Sequence, residues 1–256
     1  MIHPTAIIHP GAILADNVTV GPYSIIGADV EIASGTDIKS HVVIGGPTKI
    51  GRENHIYQFS SIGEMPQDKK YDGERTYLQI GDRNIIREYV TLNRGTATGV
   101  GKTVIGHDNL FMAYCHVAHD CIVGNHTIFA NAASLAGHVE IGDHATLGGF
   151  TSVHQFVSIG ERAFCGLGSV VVRDIPPYSI AAGNRARAVG INKEGLNRIG
   201  FSAELIKALH VSFRSLFSSR RSRAEVYKLL KPLCDRYPEV TLLVNFVKNS
   251  KRGIAR

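Results

Sequence analysis

An aliphatic or other apolar residue recurs every six positions through most of the first two thirds of the chain, and this repeat strongly constrains the fold. The period is neither the 3.6 residues of an amphipathic helix nor the plain alternation of one half-buried strand. None of the 26 repeat positions holds a polar residue; they are Ile2, Ile8, Leu14, Val20, Ile26, Ile32, Ile38, Ile44, Ile50, Ile56, Ile62, Ile80, Ile86, Leu92, Ile105, Phe111, Val117, Val123, Phe129, Leu135, Ile141, Leu147, Val153, Ile159, Cys165 and Val171.

The residues between the aliphatic positions explain what the repeat builds. Glycine often follows the aliphatic residue directly, and the fourth position after it is usually small, as at Ala6, Ser24, Thr127 and Ala133. One large inward residue, one corner and one small residue describe one side of a triangular coil. Three sides make a coil of about 18 residues, and stacked coils form parallel sheets. The repeat therefore predicts a left-handed parallel β-helix of about nine coils, an exception to the usual right-handed crossover.

Two segments interrupt the repeat, at residues 63–79 and 93–103. Loops that project from a regular scaffold commonly carry function. We therefore expect both segments to contribute to a functional site.

The repeat fades beyond residue 176, and signals for helices replace it. Ser202 precedes an apolar stripe, and Pro238 is followed by another. Between them, Ser222 and Glu225 have the spacing of a capping box. The sequence thus predicts a mainly β protein in which a β-helix domain (residues 1–190) precedes a small helical domain (residues 191–256), with Gly253 past the last helix.

Composition excludes several classes of protein. Of the 256 residues, 44% are hydrophobic and 20% are charged, which is typical of a well-packed globular chain and not of a disordered one. No apolar run approaches the roughly 18 residues that cross a membrane, and the start lacks the features of a signal peptide. The four cysteines, Cys115, Cys121, Cys165 and Cys234, are unpaired in pattern, so we expect free thiols and a cytoplasmic protein.

The basic character of the chain belongs to its tail. Residues 193–256 hold 14 Lys and Arg against 5 Asp and Glu, whereas residues 1–192 carry a balance of −3. Such a surface attracts acidic partners. An acidic protein or a peripheral membrane contact fits this surface, but nucleic acid does not, because no recognition motif accompanies the charges.

Seven of the twelve histidines crowd into 48 residues: His107, His116, His119, His126, His138, His144 and His154. Spacings near 18 place several of them on neighbouring coils. Three interpretations compete: ordinary surface histidines, a zinc site of three histidines like that of the β-helical gamma-class carbonic anhydrases, and a general base. The last rests on His119, which Asp120 can orient and which we expect to point outward from the core.

Three segments carry a more specific resemblance. Residues 118–156 (AHDCIVGNHTIFANAASLAGHVEIGDHATLGGFTSVHQF), 56–74 (IYQFSSIGEMPQDKKYDGE) and 192–202 (NKEGLNRIGFS) resemble the UDP-N-acetylglucosamine O-acyltransferases of lipid A synthesis. The ending PEV…RGIAR also resembles them. The similarity covers essentially the whole chain, including both interruptions and the helical tail.

That resemblance implies transfer of a 3-hydroxyacyl group from the thioester of acyl carrier protein to the 3-hydroxyl of UDP-N-acetylglucosamine. It implies no cofactor beyond the phosphopantetheine of the donor, no metal, and a homotrimer with sites between subunits. His119 matches the general base, Asp120 its orienting residue, and Gly137 the oxyanion-binding backbone. Matched substrate contacts are Gln67, Asp68, Lys70, His116, His138, His154, Gln155, Asn192, Glu194 and Arg198.

Three positions bear on specificity. Ile199 replaces a second basic residue that relatives often carry after Arg198, and Asn93 replaces a histidine found in some relatives. Leu167 matches the end of the acyl groove, where it implies a medium-length chain. Two alternatives stay open: an N-acyltransferase, including one that acts on a 3-amino sugar, and a non-catalytic β-helical scaffold.

Overall fold

The computed structural model describes residues 1–218 and 221–256, and in this part of the chain 27 short strands precede four helices. In chain order the strands are β1 Ile7–Ile8, β2 Ile13–Leu14, β3 Thr19–Val20, β4 Ile25–Ile26, β5 Val30–Ile32, β6 Asp37–Ile38, β7 Val43–Ile44, β8 Thr48–Ile50, β9 His55–Ile56, β10 Ser61–Glu64, β11 Tyr77–Ile80, β12 Ile85–Ile86, β13 Thr91–Asn93, β14 Lys102–Ile105, β15 Leu110–Phe111, β16 His116–Val117, β17 Ile122–Val123, β18 Ile128–Phe129, β19 Ser134–Leu135, β20 Glu140–Ile141, β21 Thr146–Leu147, β22 Ser152–Val153, β23 Ser158–Ile159, β24 Phe164–Cys165, β25 Val170–Val171, β26 Ser179–Ala182 and β27 Arg187–Ile191.

Every third strand of the repeat belongs to the same parallel sheet. The first sheet holds nine strands from β1 to β25, and the second holds eight from β2 to β23. The third holds ten, from β3 to β24 and then β26 and the antiparallel β27. Paired residues in neighbouring coils are one coil of the repeat apart, as for His116 with Ser134. Equivalent residues of successive coils therefore lie above one another.

The repeat residues form one continuous core between the sheets. From Val20 to Val171 every one of them is buried. The prediction is wrong only for the first coil, where Ile2 is 49% exposed and Ile8 and Leu14 are partly buried. The first coil has no coil beneath it to complete its packing.

Two of the edges between the sheets carry distinct columns of side chains. The chain turns from the first sheet to the second at the His119 edge, which is named for His119 just after β16. It turns from the third sheet to the first at the aromatic edge. There the rings of successive coils lie against one another with centroids 4.9 to 5.2 Å apart, the first two pairs tilted and the last two stacked; they are those of Tyr23, His41, Phe59, Tyr89 and Tyr114.

Both predicted interruptions are loops, although each is shorter than predicted. The first loop comprises residues 65–76, between β10 and β11, and the second loop comprises residues 94–101, between β13 and β14. The strands extend a few residues into the predicted interruptions, because the flanking residues continue the pairing with neighbouring coils.

The tail folds into helices with a core of their own. The helices are α1 Lys193–Arg198, α2 Ala203–Ser218, α3 Arg223–Arg236 and α4 Pro238–Asn249. The predicted capping box of Ser222 and Glu225 and the proline at the start of α4 are present. Helix α1, whose N-cap is Asn192, was not predicted from the sequence. Strand β27 crosses the expected domain boundary after residue 190.

A column of buried asparagines replaces the small residue on three coils between the second and third sheets. The Asn84 side-chain amide donates to the Asn54 side chain and to the Gly106 carbonyl, and its Oδ1 accepts from the backbone and side-chain amides of Asn109. All three asparagines are at most 1% exposed. Because unpaired buried polar groups are costly, the column links the stability of adjacent coils.

We expect Asn84→Ala to lower the free energy of unfolding by about 2 to 4 kcal/mol, because it leaves the amides of Asn109 and the carbonyl of Gly106 without partners. For a chain of this size that corresponds to a thermal midpoint about 4 to 15 °C lower, measured by circular dichroism. The control is Asn17→Ala, which removes one exposed hydrogen bond to the Gly35 amide. Equal shifts in the two variants would contradict a special role for the column.

Candidate active site

The His119 edge aligns side chains from three successive coils. Asp120, His138 and Phe156 occupy equivalent corner positions, and all three have left-handed backbone conformations, with φ of 59°, 61° and 62°. The His138 ring stacks on Phe156 with centroids 4.5 Å apart, and it meets the His119 ring edge-on at 5.1 Å. The 18-residue coil therefore assembles a cluster from residues far apart in sequence.

His119 and Asp120 form a buried pair within this cluster. Nδ1 of His119 lies 2.9 Å from Oδ2 of Asp120, and the two residues are 6% and 4% exposed. An ionised carboxylate only accepts hydrogen bonds, so it favours the tautomer that carries its proton on Nδ1. In that tautomer Nε2 has a free lone pair, which is the arrangement of a general base.

His119 is buried, although the sequence analysis places it outside the apolar core. The residue lies outside the core cluster of apolar side chains, but it is not open to solvent. The second loop crosses the edge and binds the neighbouring Asp120. The sequence showed the loop as a break in the repeat without showing where it would fold.

The second loop supplies most of the hydrogen bonds to Asp120. The Thr96 hydroxyl donates to Oδ2 at 2.6 Å, the Thr96 amide donates to the same oxygen at 3.0 Å, and the Val100 amide donates to Oδ1 at 3.0 Å. Burial alone raises the pKa of the Asp120 carboxyl, but the hydrogen bonds from Thr96 and His119 outweigh it, and the pKa lies below its ordinary value. Asp120 is therefore a buried carboxylate that stays ionised.

Gly137 lies directly against the imidazole of His119. A Cβ atom at this position would sit 2.5 Å from Cε1 of His119, so only glycine permits the approach. In the part of the chain that the structure describes, no group accepts a hydrogen bond from the Gly137 amide. A free backbone N–H beside a candidate base suits the stabilisation of a developing oxyanion.

Two more of the expected histidines border the pair. His116 shares a hydrogen bond of 2.7 Å with the Thr91 hydroxyl through Nδ1, and Nε2 of His138 lies 3.9 Å from Oδ2 of Asp120. Burial lowers the pKa of both imidazoles below the ordinary value. Both are therefore neutral at pH 7 and offer hydrogen bonds rather than positive charge.

The first loop reaches the same edge. Asp68 is close enough for its charge to act on His138, and its Oδ1 accepts from the Lys70 amide at 3.0 Å. Gln67 and Lys70 are exposed. His154 and Gln155, one coil above His138, are exposed as well, and Nδ1 of His154 lies 3.3 Å from the Gln155 carbonyl oxygen.

The remaining expected residues lie elsewhere. Asn192 caps α1, Glu194 and Arg198 are exposed on that helix, and no contact among the described residues joins them to the His119 pair. Leu167 lies at the aromatic edge, where it is 77% exposed and its Cδ1 is 3.1 Å from where a Cβ on Gly149 would be. Asn93 is buried, and its side-chain amide donates to the Met65 carbonyl at 3.0 Å. Ile199 is 49% exposed at the end of α1.

A cavity of about 630 Å³ opens beside the pair. Its lining includes Asp120, His138 and Phe156 from the β-helix and Phe246 and Arg252 from the tail. Sequence reasoning missed the contributions of Thr96, Val100, Phe156 and α4. Only the break in the repeat pointed toward the first two.

The zinc alternative fits the structure poorly. Among the described residues, the only group whose donor atoms lie close enough to share a metal ion is His119, Asp120 and His138, with all donors within 4.8 Å of one another. This is not the set of three histidines that the alternative requires. The Asp120 oxygens are also already bound by the second loop and by His119.

Comparisons with known proteins agree with this arrangement. A family model described as UDP N-acetylglucosamine O-acyltransferase, domain 2, matches residues 174–255, and the six-repeat bacterial transferase hexapeptide model matches residues 11–46 and 102–137. The acyl-[acyl-carrier-protein]–UDP-N-acetylglucosamine O-acyltransferase of Saccharophagus degradans is 54% identical over 255 residues, covering 100% of this chain and 99% of the relative. The chain belongs to the UDP-N-acetylglucosamine O-acyltransferase family.

Solved structures of the family show the same fold. LpxA from Acinetobacter baumannii matches with a TM-score of 0.97 at 46% identity, and the UDP-N-acetylglucosamine O-acyltransferase (LpxA) of Moraxella catarrhalis matches with 0.97 at 48%; each match covers 100% of this chain and 99% of the other. The predicted left-handed β-helix with a small helical tail and the predicted family are both confirmed.

Part of the basic charge of the tail lies on α2 and around the start of α3. Arg214 lies on α2 and Arg223 begins α3, with Arg221 shortly before it. Arg220, another arginine of the tail, lies outside the described residues. Within the residues that the structure describes, no helix is long and apolar enough to cross a membrane.

The lowered pKa of Asp120 predicts a pH-dependent contribution to stability. The ionised carboxylate stabilises the fold above its ordinary pKa of 3.8, and this contribution is lost as the pH falls through the lower pKa of the folded state. Asp120→Asn should therefore lower the thermal midpoint clearly at pH 7, and the gap to the unaltered protein should shrink once the pH falls below 3.8.

Thermal unfolding followed from pH 7 to about pH 3, across the range in which carboxyl groups titrate, measures this gap. The control is Asp235→Asn, which alters a side chain that is 64% exposed and that pairs, among the described residues, only with Lys231; it should change the midpoint little at any pH. A gap for Asp120→Asn that is constant with pH would show that the ionised form contributes nothing special.

Proposed function

We propose that this chain transfers a 3-hydroxyacyl group from the thioester of acyl carrier protein to the 3-hydroxyl of UDP-N-acetylglucosamine, in the first step of lipid A biosynthesis. The observation that carries the proposal is the buried His119–Asp120 pair beside the amide of Gly137, which has no acceptor among the described residues. It occurs in a chain 54% identical, over its whole length, to a relative named for this reaction.

The geometry supports a general-base mechanism. His119 takes the proton of the sugar hydroxyl on Nε2 as the oxygen attacks the thioester carbonyl. The Gly137 amide donates to the resulting oxyanion. When the tetrahedral intermediate collapses, the carbon–sulfur bond breaks and His119 returns the proton to the leaving thiolate. Asp120 holds the imidazole and stabilises its charged form, and no covalent enzyme intermediate is required.

Because His116 and His138 are neutral, we expect them to contact the sugar and other, charged residues to contact the diphosphate. His116 and His138 offer hydrogen bonds to the sugar, and His154 and Gln155 continue the same edge. Cations for the diphosphate come from residues such as Lys70 and Arg198. Because Ile199 carries no charge, phosphate binding depends more on these two.

The separation of residue groups within one chain supports a homotrimer with sites between subunits. Asn192, Glu194 and Arg198 lie on and before α1, next to the third sheet, whereas Gln67, Asp68 and Lys70 approach the His119 edge. A nucleotide that contacts both groups is accommodated when α1 of one subunit faces the His119 edge of another.

The donor fits the charge of the tail. Acyl carrier proteins are strongly acidic, and a surface with Arg214 and Arg223 steers such a partner toward the site. The donor brings its own phosphopantetheine thioester, so the reaction needs no cofactor held by the enzyme. A carrier protein and a nucleotide sugar as substrates support a cytoplasmic enzyme.

Leu167 is proposed to end the acyl groove. His119 follows β16, and Leu167 precedes β25, which lies three strands further along the same sheet. The outer face of the first sheet thus joins the candidate base to the leucine. The leucine side chain, which is 77% exposed in one chain, is available to meet the end of an acyl chain.

We expect His119→Ala to lower kcat by about 10²- to 10⁴-fold, the usual contribution of a general base. The assay incubates purified protein with UDP-N-acetylglucosamine and 3-hydroxyacyl carrier proteins of several lengths, and reads the product by mass spectrometry. His126→Ala is the control, since this half-exposed histidine stacks on His144 away from the site. No product with this sugar or its 3-amino analogue would refute the proposed function; product only with the 3-amino sugar would favour the N-acyltransferase.

We expect Leu167→Gly to lengthen the preferred acyl chain by about two to four carbons, because removing the side chain opens room for methylenes that each contribute about 0.8 kcal/mol when buried. The measurement is competition among acyl carrier proteins of different chain length, reported as ratios of kcat/KM. Val189→Ala, at another exposed aliphatic residue, is the control and should keep the original preference. An unchanged preference in Leu167→Gly would show that the leucine does not limit the groove.

A further inference from the structure

The second loop does more than interrupt the repeat, because it is built around the carboxylate of Asp120. Among its eight residues, the loop directs three donors at this one side chain: the hydroxyl of Thr96, the amide of Thr96, which donates to both oxygens, and the amide of Val100. The bond from the hydroxyl is the shortest of these at 2.6 Å. Because its donors converge on this one buried carboxylate, we infer that the loop holds Asp120 in a fixed position.

A glycine in the loop makes this approach possible. A Cβ atom on Gly99 would lie 2.5 Å from both Oδ1 and Oδ2 of Asp120, closer than any side chain can pack. The Gly99 amide donates to the Thr96 carbonyl at 3.1 Å, which folds the loop back on itself. The loop backbone therefore presses directly against the carboxylate.

The bond from the Thr96 hydroxyl constrains His119 through Asp120. Oδ2 accepts from the Thr96 hydroxyl and faces Nδ1 of His119 at the same time. A carboxylate held on both oxygens cannot rotate about its terminal bond. Its Oδ2 then keeps the imidazole in one orientation, with Nε2 directed to the substrate.

We propose that Thr96 is a positioning residue for the acyl transfer: its hydroxyl locks the Asp120 carboxylate, which in turn orients His119. This inference rests on the proposed function and adds to it a residue that does not touch the substrate. Glycine at position 99 is required for the same contact, because a Cβ there would collide with the Asp120 carboxylate.

The central experiment compares Thr96→Val with Thr96→Ser. Valine keeps the shape of threonine and removes the hydroxyl, whereas serine keeps the hydroxyl. Thr96→Val should lower kcat about 10- to 100-fold, the range for losing a hydrogen bond to a charged group, with KM for both substrates within about twofold because the residue contacts neither. Thr96→Ser should retain kcat within about threefold, since it still donates to Oδ2.

Thr103→Val is the matched control. Thr103 lies on β14 just after the loop, is fully buried, and its hydroxyl has no hydrogen-bond partner among the described residues. The same substitution there also keeps the shape of a buried side chain and removes a hydroxyl, but it removes no hydrogen bond among the described residues. Its kcat should equal that of the unaltered enzyme.

A second pair of variants tests the loop without removing the hydroxyl. Gly99→Ala should displace the loop from Asp120 and lower kcat by a similar factor, again with little change in KM. Gly190→Ala is its control, because a Cβ on Gly190 meets open space. Thermal midpoints of all variants confirm that each is folded under the assay conditions.

The outcomes separate this inference from the proposed function. An unaltered enzyme that makes no product refutes the proposed function. If it is active and Thr96→Val matches Thr103→Val in kcat, only the inference is overturned. A loss that appears in KM, or a Thr96→Ser variant as slow as Thr96→Val, also overturns it. Should Thr96→Val fail to fold, an active Gly99→Ala with unchanged kcat overturns it equally.

Discussion

Backbone hydrogen bonds between successive coils hold the β-helix in register. Where no loop intervenes, as between β16 and β19, the ladder pairs residues 18 apart, so that residues with this spacing lie one above another. The repeated aliphatic residue fills the interior, and the corners present side chains in columns. Asp120, His138 and Phe156 form one such column. A site of this kind needs no special local structure, because the scaffold aligns residues wherever the sequence supplies them.

The second loop turns an open column into a buried site. Without the loop, Asp120 would lie at an exposed corner, where water screens its interaction with His119. Beneath the loop the carboxylate is 4% exposed and still ionised, because the loop supplies the hydrogen bonds that water would otherwise make. Burial strengthens the interaction with the imidazole. The loop thus replaces water with hydrogen-bond donors in fixed positions around Asp120, the carboxylate that the proposed reaction uses.

The repeat was enough to predict the β-helix, because the residue that recurs every six positions is the one whose side chain fills the core, from Val20 to Val171. The helix starts marked by the cap Ser222 and by Pro238 in the first turn were equally predictable, since local chemistry alone determines them. Burial of His119 was not predictable, because it depends on how a loop without periodicity folds over a distant corner. The hydrogen bonds from Thr96 to Asp120 and the close approach of Gly99 to the same carboxylate were unpredictable for the same reason. Helix α1 escaped prediction because its six residues are too few to show a period.

In the proposed reaction, proton transfer and binding of the diphosphate depend on different residues. Burial lowers the pKa of His116 and His138, so the imidazoles around His119 are neutral at pH 7. A cationic neighbour would oppose the positive charge that a general base acquires in the transition state, and a neutral one does not. A diphosphate, however, needs cations. In the proposed reaction these come from residues away from the pair, such as Lys70 on the first loop and Arg198 on α1. The positive charges that bind the diphosphate therefore lie away from His119, where they would otherwise oppose its protonation in the proposed reaction.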